Sequence, residues 1–224
     1  YSLLCCIAMI SIDEMATFCK RRGFVYHNSE IYGGIAGFFD YGPLGVELKN
    51  NIKKEWWKYH VHSRDDVVGI DSSIITHPVV WEASGHLGSF QDIVVECKNC
   101  HERYRVDQLI EEKTKKGVEV LSVKKIIALM KEYKIKCEKC GKDTLSEPSP
   151  FNLMFQTYIG PKRDKESIAY LRPETAQSIF VNFKLVQENA RLKLPFGIAQ
   201  IGKAFRNEIS PRNFLFRSRE FEQM

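Results

Sequence analysis

Apolar residues recur along this chain in two rhythms, and the changes between them predict its elements. Ile12, Met15, Ala16 and Cys19 fall at three- and four-residue steps, so residues 11–24 read as a short amphipathic helix with Lys20-Arg21-Arg22 near its end and Gly23 to stop it. Leu44, Leu48, Ile52, Trp56 and Tyr59 repeat the pattern, predicting a helix from Pro43 to about His60 with one buried stripe; Trp57 and Val61 lie off it. Residues 67–80 read as a strand broken at Pro78, and FNLMFQTYIG after the SEPSP boundary is strand-like. A helix is expected after Arg172-Pro173, with Ile179, Phe180, Phe183 and Val186 on one side. Two strands follow, at about 197–209 and 214–224, joined by turn chemistry at Ser210-Pro211-Arg212-Asn213. A long helix followed by antiparallel strands argues for an α+β fold, not a doubly wound parallel sheet.

Composition narrows the class without naming a function. The 224 residues are 44% hydrophobic and 27% charged, which is globular, and the net charge of +5 permits a phosphate-bearing partner without demanding one. No apolar run approaches the roughly 18 residues of a membrane span, so no membrane partner is expected. Residues 1–10 lack the basic start and small-residue cleavage site of a signal peptide and are read as an uncertain or spurious extension, with Met9 or Met15 as possible starts. Strand alternation still runs at Met224, so the chain reads as a truncated piece of a longer protein. Residues 31–42, glycine-rich with interleaved aromatics, predict a turning or closely approached backbone. The divisions expected are 11–92, an insertion over 93–149 where cysteines and charges cluster, and 150–224.

Four of the seven cysteines form two CxxC pairs, Cys97/Cys100 and Cys137/Cys140. A two-residue spacer lets both thiolates face one ion across a tight turn, and two such knuckles complete a tetrahedral zinc site. Four ordinary thiols or two disulfides are the alternatives; the doubling of the motif in a lysine-rich insertion favours structural Zn2+. A helical hairpin from Leu109 to Tyr133 would fill the gap between the knuckles. Reduced thiols imply a reducing compartment, hence a cytoplasmic protein. Cys5, Cys6 and Cys19 read as ordinary residues.

Gly197 to Lys203 matches the GxxxxGK phosphate loop, but Ala204 stands where that loop needs a hydroxyl for magnesium, so a strand with two glycines is the better reading. The block FRNEISPRNFLFRSREFEQM, 205–224, is richer. Strand period puts Arg206 and Glu208 on one face, and Arg217, Arg219, Phe221 and Gln223 on one face of the next strand. Arginine forks suit phosphate oxygens, a glutamate can accept from an exocyclic amine, and a phenylalanine can stack on a purine.

Phe205-Arg206-Asn207-Glu208 and Arg217-Ser218-Arg219-Glu220-Phe221 resemble motif 2 of class II aminoacyl-tRNA synthetases, and helix 43–60 with the strand ending near Pro78 resembles motif 1, the dimer-interface element. IYGGIAGFFDYGPLGVELKNNIKKEWW, WEASGH, FNLMF, LRPETAQSIFVNFK and FGIAQIGKAFRNE are similar to glycyl-tRNA synthetases of the homodimeric, bacterial-like type, from about Gly23 to Met224. The resemblance implies an antiparallel class II sheet flanked by helices, incomplete here because motif 3 and the anticodon-binding domain are absent. It implies a glycine–tRNA ligase that uses ATP and Mg2+, acts on glycine and tRNA(Gly), and pairs as a homodimer through motif 1. Arg206 would hold the ATP α-phosphate and Glu208 the adenine amino group, both counted as catalytic. Arg217 would sit on the γ-phosphate and Phe221 on the adenine face, with Asn207, Phe216, Ser218, Arg219 and Glu220 lining the nucleotide site. Glu174 would take the glycine ammonium, with Phe221, Glu222, Gln223 and Met224 shaping that pocket and Arg105 as a further substrate contact. The loop 209–215 would face the tRNA acceptor end. The chain alone is expected to be inactive. A non-catalytic synthetase-like RNA-binding module is the other reading, and the joint presence of Arg206, Glu208, Arg217, Phe221 and Glu174 favours the enzyme.

Overall fold

The computed structural model describes residues 10–114, 123–211 and 214–224. In chain order the elements are α1 Ile12–Arg21, β1 Val25–His27, β2 Phe39–Tyr41, α2 Pro43–Trp57, β3 Val67–Ile70, β4 Ile75–Thr76, α3 Pro78–Ala83, α4 His86–Ser89, β5 Gln91–Glu96, β6 Arg103–Arg105, α5 Val106–Thr114, α6 Val123–Glu132, β7 Ser149–Asn152, β8 Phe155–Tyr158, β9 Ile168–Leu171, α7 Ala176–Asn189, β10 Gly197–Gln200, β11 Gly202–Phe205 and β12 Glu220–Gln223. A π turn, Lys58–His62, extends α2, and a 3₁₀ turn spans Phe214–Arg217. Helices and strands are mixed; β1 with β2, β4 with β9, β8 with β9, and β5 with β6 and β7 pair antiparallel, and β3 with β10 parallel. Among the described residues no helix is long and apolar enough to cross a membrane. The chain divides into two compact units, Tyr1–Ser73 with Glu174–Ala204 and Pro211–Met224, and Ile74–Pro173 with Phe205–Ser210. Residues 1–9 of the expected extension over 1–10, the middle of the expected helical hairpin at 115–122, and Arg212 and Asn213 of the expected turn lie outside the described residues.

In the first unit α1 opens on a capping box, Ser11 Oγ accepting from Glu14 N–H at 3.2 Å while Glu14 accepts from Ser11 N–H at 2.9 Å. It ends where Gly23 takes φ +72°, as the sequence predicts. Helix α2 corrects the sequence reading. The expected buried stripe faces outward, with Leu44, Leu48 and Ile52 about half exposed and Tyr59 at 72%. The inward residues are Gly45, Lys49, Lys53, Trp57 and Val61, also at four-residue steps. Gly45 is inside because a Cβ there would collide with the Phe24 carbonyl, and Trp57 lies where a Cβ on Gly69 of β3 would overlap its indole. Lys49 and Lys53 both reach the carboxylate of Glu222 on β12. The helix thus turns two lysines inward because a partly buried acid awaits them, and hydrophobicity alone points to the wrong face. On α7, Phe183 stacks on Phe196 at 4.8 Å, but Phe180 is 72% exposed, which breaks the expected single face.

The second unit holds two antiparallel three-stranded sheets, β4-β9-β8 and β6-β5-β7. The strand expected over 67–80 is cut short, because Pro78 starts α3 instead, with His77 Nδ1 accepting from Val79 N–H at 3.3 Å. FNLMFQTYIG also divides, Leu153 and Met154 being buried between β7 and β8. The core is a cluster of Val95, Tyr104, Val106, Leu109, Ile110, Ile126 and Ile135 built around the buried Cys97 and Cys137. α5 and α6 supply its helical side, as a helical connection between the knuckles requires.

Candidate functional site

The two knuckles repeat one local design. Cys97 N–H donates to Glu102 O at 2.8 Å and Cys137 N–H to Lys142 O at 3.1 Å; His101 N–H returns to Cys97 O and Gly141 N–H to Cys137 O, both at 2.8 Å. Each turn closes on a left-handed residue, His101 at φ +57° and Gly141 at φ +68°. The four Sγ atoms lie within 4.8 Å of one another, with Cys97–Cys140 at 3.6 Å and Cys100–Cys137 at 3.5 Å. A disulfide needs about 2.05 Å, whereas a tetrahedral zinc with bonds of about 2.3 Å sets its sulfurs about 3.8 Å apart. The thiols therefore fit the metal and not the disulfides. Outer contacts hold the sulfurs in place: Thr144 Oγ1 at 3.2 Å from Cys97 Sγ, and Tyr104 OH at 3.3 Å from Cys137 Sγ while accepting Lys139 N–H at 3.1 Å. The Thr144 hydrogen bond outweighs burial and brings the Cys97 thiol down to about 6. Such a group is a thiolate at neutral pH, the form a metal takes.

The same unit holds Arg206, Asn207, Glu208 and Arg105. Arg206 and Glu208 do not lie on a strand, since β11 stops at Phe205. The chain turns instead, with Glu208 N–H donating to Arg206 O at 2.7 Å and Asn207 N–H to Leu153 O at 2.8 Å. This overturns the expected alternation over 197–209 but leaves Arg206 well anchored. Its Nε donates to Pro173 O at 3.2 Å, and its guanidinium lies 5.6 Å from the centre of the Phe90 ring. Arg105 forks onto Asp107 at 3.1 and 2.5 Å and onto Asp92 at 3.3 Å. Burial works against its charge, and Asp107, Asp92 and Glu208 together more than offset this, so its pKa is raised. Glu208 is buried, in the field of that cation. Ser210 Oγ donates to Arg103 O at 2.9 Å.

The remaining candidates belong to the first unit. Only residues 220–223 of the expected strand over 214–224 are extended, so Phe216 and Arg217 lie on the 3₁₀ turn, with Phe216 86% exposed. Ser218 is buried. Arg219 grips the glycine-rich loop, its Nη1 donating to Ala36 O at 2.9 Å and its N–H to Gly37 O at 2.7 Å. A Cβ on Gly37, at φ +79°, would come 2.8 Å from Pro211 and 3.1 Å from Arg219, which is the close approach the glycines predicted. On β12, Phe221 and Gln223 share one face and Glu220 and Glu222 the other. Glu220 pairs with Lys203, and Glu222 with the α2 lysines. Gln223 Oε1 accepts from Thr175 N–H at 2.8 Å and from Thr175 Oγ1 at 3.3 Å, beside Glu174. Glu174 Oε1 accepts from Gln177 Nε2 at 2.6 Å. Met224 is exposed at the end of β12. Phe90, Thr175 and Gln177 were not singled out from the sequence. The three-residue spacing of Glu174 and Gln177 at a helix start was a usable signal; Phe90 carried none.

Paired cysteine knuckles, an anchored arginine and an amide-braced carboxylate, on a mixed α and β scaffold, are found in a chain similar to ligases of the aminoacyl-tRNA class. The particular relatives are glycine–tRNA ligases: those of Geobacillus kaustophilus, 55% identical over 220 residues, Clostridium acetobutylicum, 54%, and Caldanaerobacter subterraneus, 53%, each alignment taking in 96% of this chain. The chain spans about half the length of these curated relatives, 48% in each case. No protein-family model matches the chain. The resemblance to glycyl-tRNA synthetases carried by the motifs is borne out by this similarity.

Proposed function

We propose that the protein carrying this chain is a class II glycine–tRNA ligase, which joins glycine to ATP as glycyl-adenylate and passes it to tRNA(Gly). The observation that carries the reading is the 52–55% identity over nearly the whole chain to proteins of that name. The chemistry agrees with the residues. Attack of a carboxylate on the α-phosphate with loss of pyrophosphate needs positioning and charge stabilisation but no protein nucleophile. Arg206, braced by Pro173 O and Phe90, takes the α-phosphate, where charge grows in the transition state. Glu208 reads the adenine amino group, Phe221 stacks on the ring, and Arg217 meets the γ-phosphate, with Asn207, Phe216, Ser218, Arg219 and Glu220 completing the nucleotide site. Mg2+ accompanies the ATP. Glu174 takes the glycine ammonium; Gln223 and Met224 bound its pocket, and Arg105 contributes a substrate contact from among its own carboxylates. Glu222 acts at a distance, through α2.

Cys97, Cys100, Cys137 and Cys140 would hold one structural Zn2+, which supplies a covalent staple and no step of the reaction. The outward stripe of Leu44, Leu48, Ile52 and Tyr59 supports a homodimer through the motif 1 helix. Free thiols support a cytoplasmic setting. A non-catalytic RNA-binding role has no specific observation in its favour. The reading is tested by glycine-dependent ATP–pyrophosphate exchange in the full-length protein carrying this sequence. Arg206→Ala should cut exchange by about a hundredfold or more, and near-normal exchange in that variant would remove the phosphate role.

A further inference from the structure

We propose that Gln177 is a second ligand for the substrate ammonium, its Oε1 accepting one N–H while Glu174 neutralises the charge. The proposal rests on the reading of Glu174 as the amino-acid-binding carboxylate and extends it to a residue three positions on. Gln177 Nε2 donates to Glu174 Oε1 at 2.6 Å. The amide cannot be turned over, because its oxygen would then face a carboxylate oxygen. The amide nitrogen therefore faces Glu174, and Oε1 beside it is buried with no hydrogen-bond partner among the described residues. A buried acceptor without a donor is unfavourable and calls for one from a ligand.

An ammonium fits that demand. It carries only donors, and it needs a counter-charge and acceptors in more than one direction. The carboxylate supplies the first and the amide oxygen the second. The pair is also held rigidly in place. Thr175, between them in sequence, is fixed by Gln223 through both N–H and Oγ1, at 2.8 and 3.3 Å, and Ser178, next along the helix, is buried. The same arrangement selects for a primary amine. An N-methyl group replaces one N–H and, turned toward Gln177, would leave Oε1 orphaned with a methyl against it.

The test is exchange kinetics in the full-length protein carrying this sequence, with Gln177→Met, which keeps length and volume, and Gln177→Ser as a second variant. The KM for glycine should rise about tenfold to a hundredfold, the KM for ATP should stay within about twofold, and the preference for glycine over N-methylglycine should fall. Glu174→Gln is run alongside. If Glu174→Gln loses glycine binding but both Gln177 variants keep a normal glycine KM, the proposal is wrong and the reading of Glu174 stands. If Glu174→Gln binds glycine normally, both fall. A parallel rise in the glycine and ATP constants, with the N-methylglycine ratio unchanged, would mean that Gln177 only supports the fold and would overturn the proposal.

Discussion

Replacing Glu222 with Gln tests the inward lysines of α2 and the placement of β12 together. The Glu222 carboxylate lies 3.1 Å from Lys49 Nζ and in direct contact with Lys53 Nζ, with side-chain exposures of 15%, 23% and 29%. At 3 Å and an effective dielectric of about 20, each pair attracts by about 5 kcal/mol. Desolvating three partly buried charges cancels most of that, and the lysines are open enough to regain water when the acid is removed. The net loss for Glu222→Gln is therefore about 1–3 kcal/mol at pH 7. The pH dependence has a definite sign. Burial pushes the Glu222 pKa up, but the hydrogen bonds and charges of Lys53 and Lys49 outweigh it, so the folded value lies below the ordinary 4.5. A lowered carboxylate pKa gives stability that is fully present above 4.5 and is lost as pH falls through the folded value. The other groups facing the clamp leave this sign unchanged. Lys49 lies 4.5 Å from the centre of the Tyr41 ring, and burial together with Glu222 raises the Tyr41 pKa, keeping it neutral throughout the acid range. Urea unfolding of both proteins between pH 7 and 3 should show the difference in stability shrinking toward zero below about pH 4.5. A difference that holds constant with pH, or none at pH 7, would refute the clamp. Because this carboxylate faces α2, the KM for glycine should change by no more than about twofold; a selective rise with unchanged stability would place Glu222 in the pocket instead.

Two further outcomes follow from the geometry. Protein purified with zinc and a reductant should hold about one zinc per chain, and Cys137→Ser should abolish it and loosen the core around Tyr104 and Ile110; elemental analysis finding no metal in the parent protein would exclude the site. Gly37→Ala should cost about 1–3 kcal/mol in a denaturation series, since it combines a left-handed backbone with a Cβ 2.8 Å from Pro211; an unchanged midpoint would show that the loop shifts freely.

Each knuckle turn was legible in the sequence because what closes the turn is local, although the contacts that bring the two together are not. Spacing fixes the turn, Gly141 marks its left-handed end, and the few hydrogen bonds that close it stay within six residues. Helix α1, stopped at Gly23, and the helix after Arg172-Pro173 were legible for the same reason. Pro78 reads from the sequence as a strand break, but a proline that breaks a strand can equally open a helix, and the His77 cap decides for the helix.

What the sequence hid was long-range. The inward face of α2 was set by Glu222, 173 residues from Lys49, and no periodicity in residues 43–60 carries that information. The strands expected at 197–209 and 214–224 failed similarly. Their alternation of charged and apolar residues is real, but the backbone at Asn207 is claimed by Leu153 and that at Arg219 by Gly37, so neither segment stays extended throughout. These departures fall on the segments that carry the candidate site, where side chains must meet a ligand from turns and helix starts rather than from a regular face. Motif 2 could be recognised from the order of its residues although strand period misplaced Arg206, because similarity preserves the order of side chains while geometry is decided by partners far along the chain. The Glu174–Gln177 pair joins both kinds of signal: its spacing is local, but its meaning depends on an oxygen left buried without a donor.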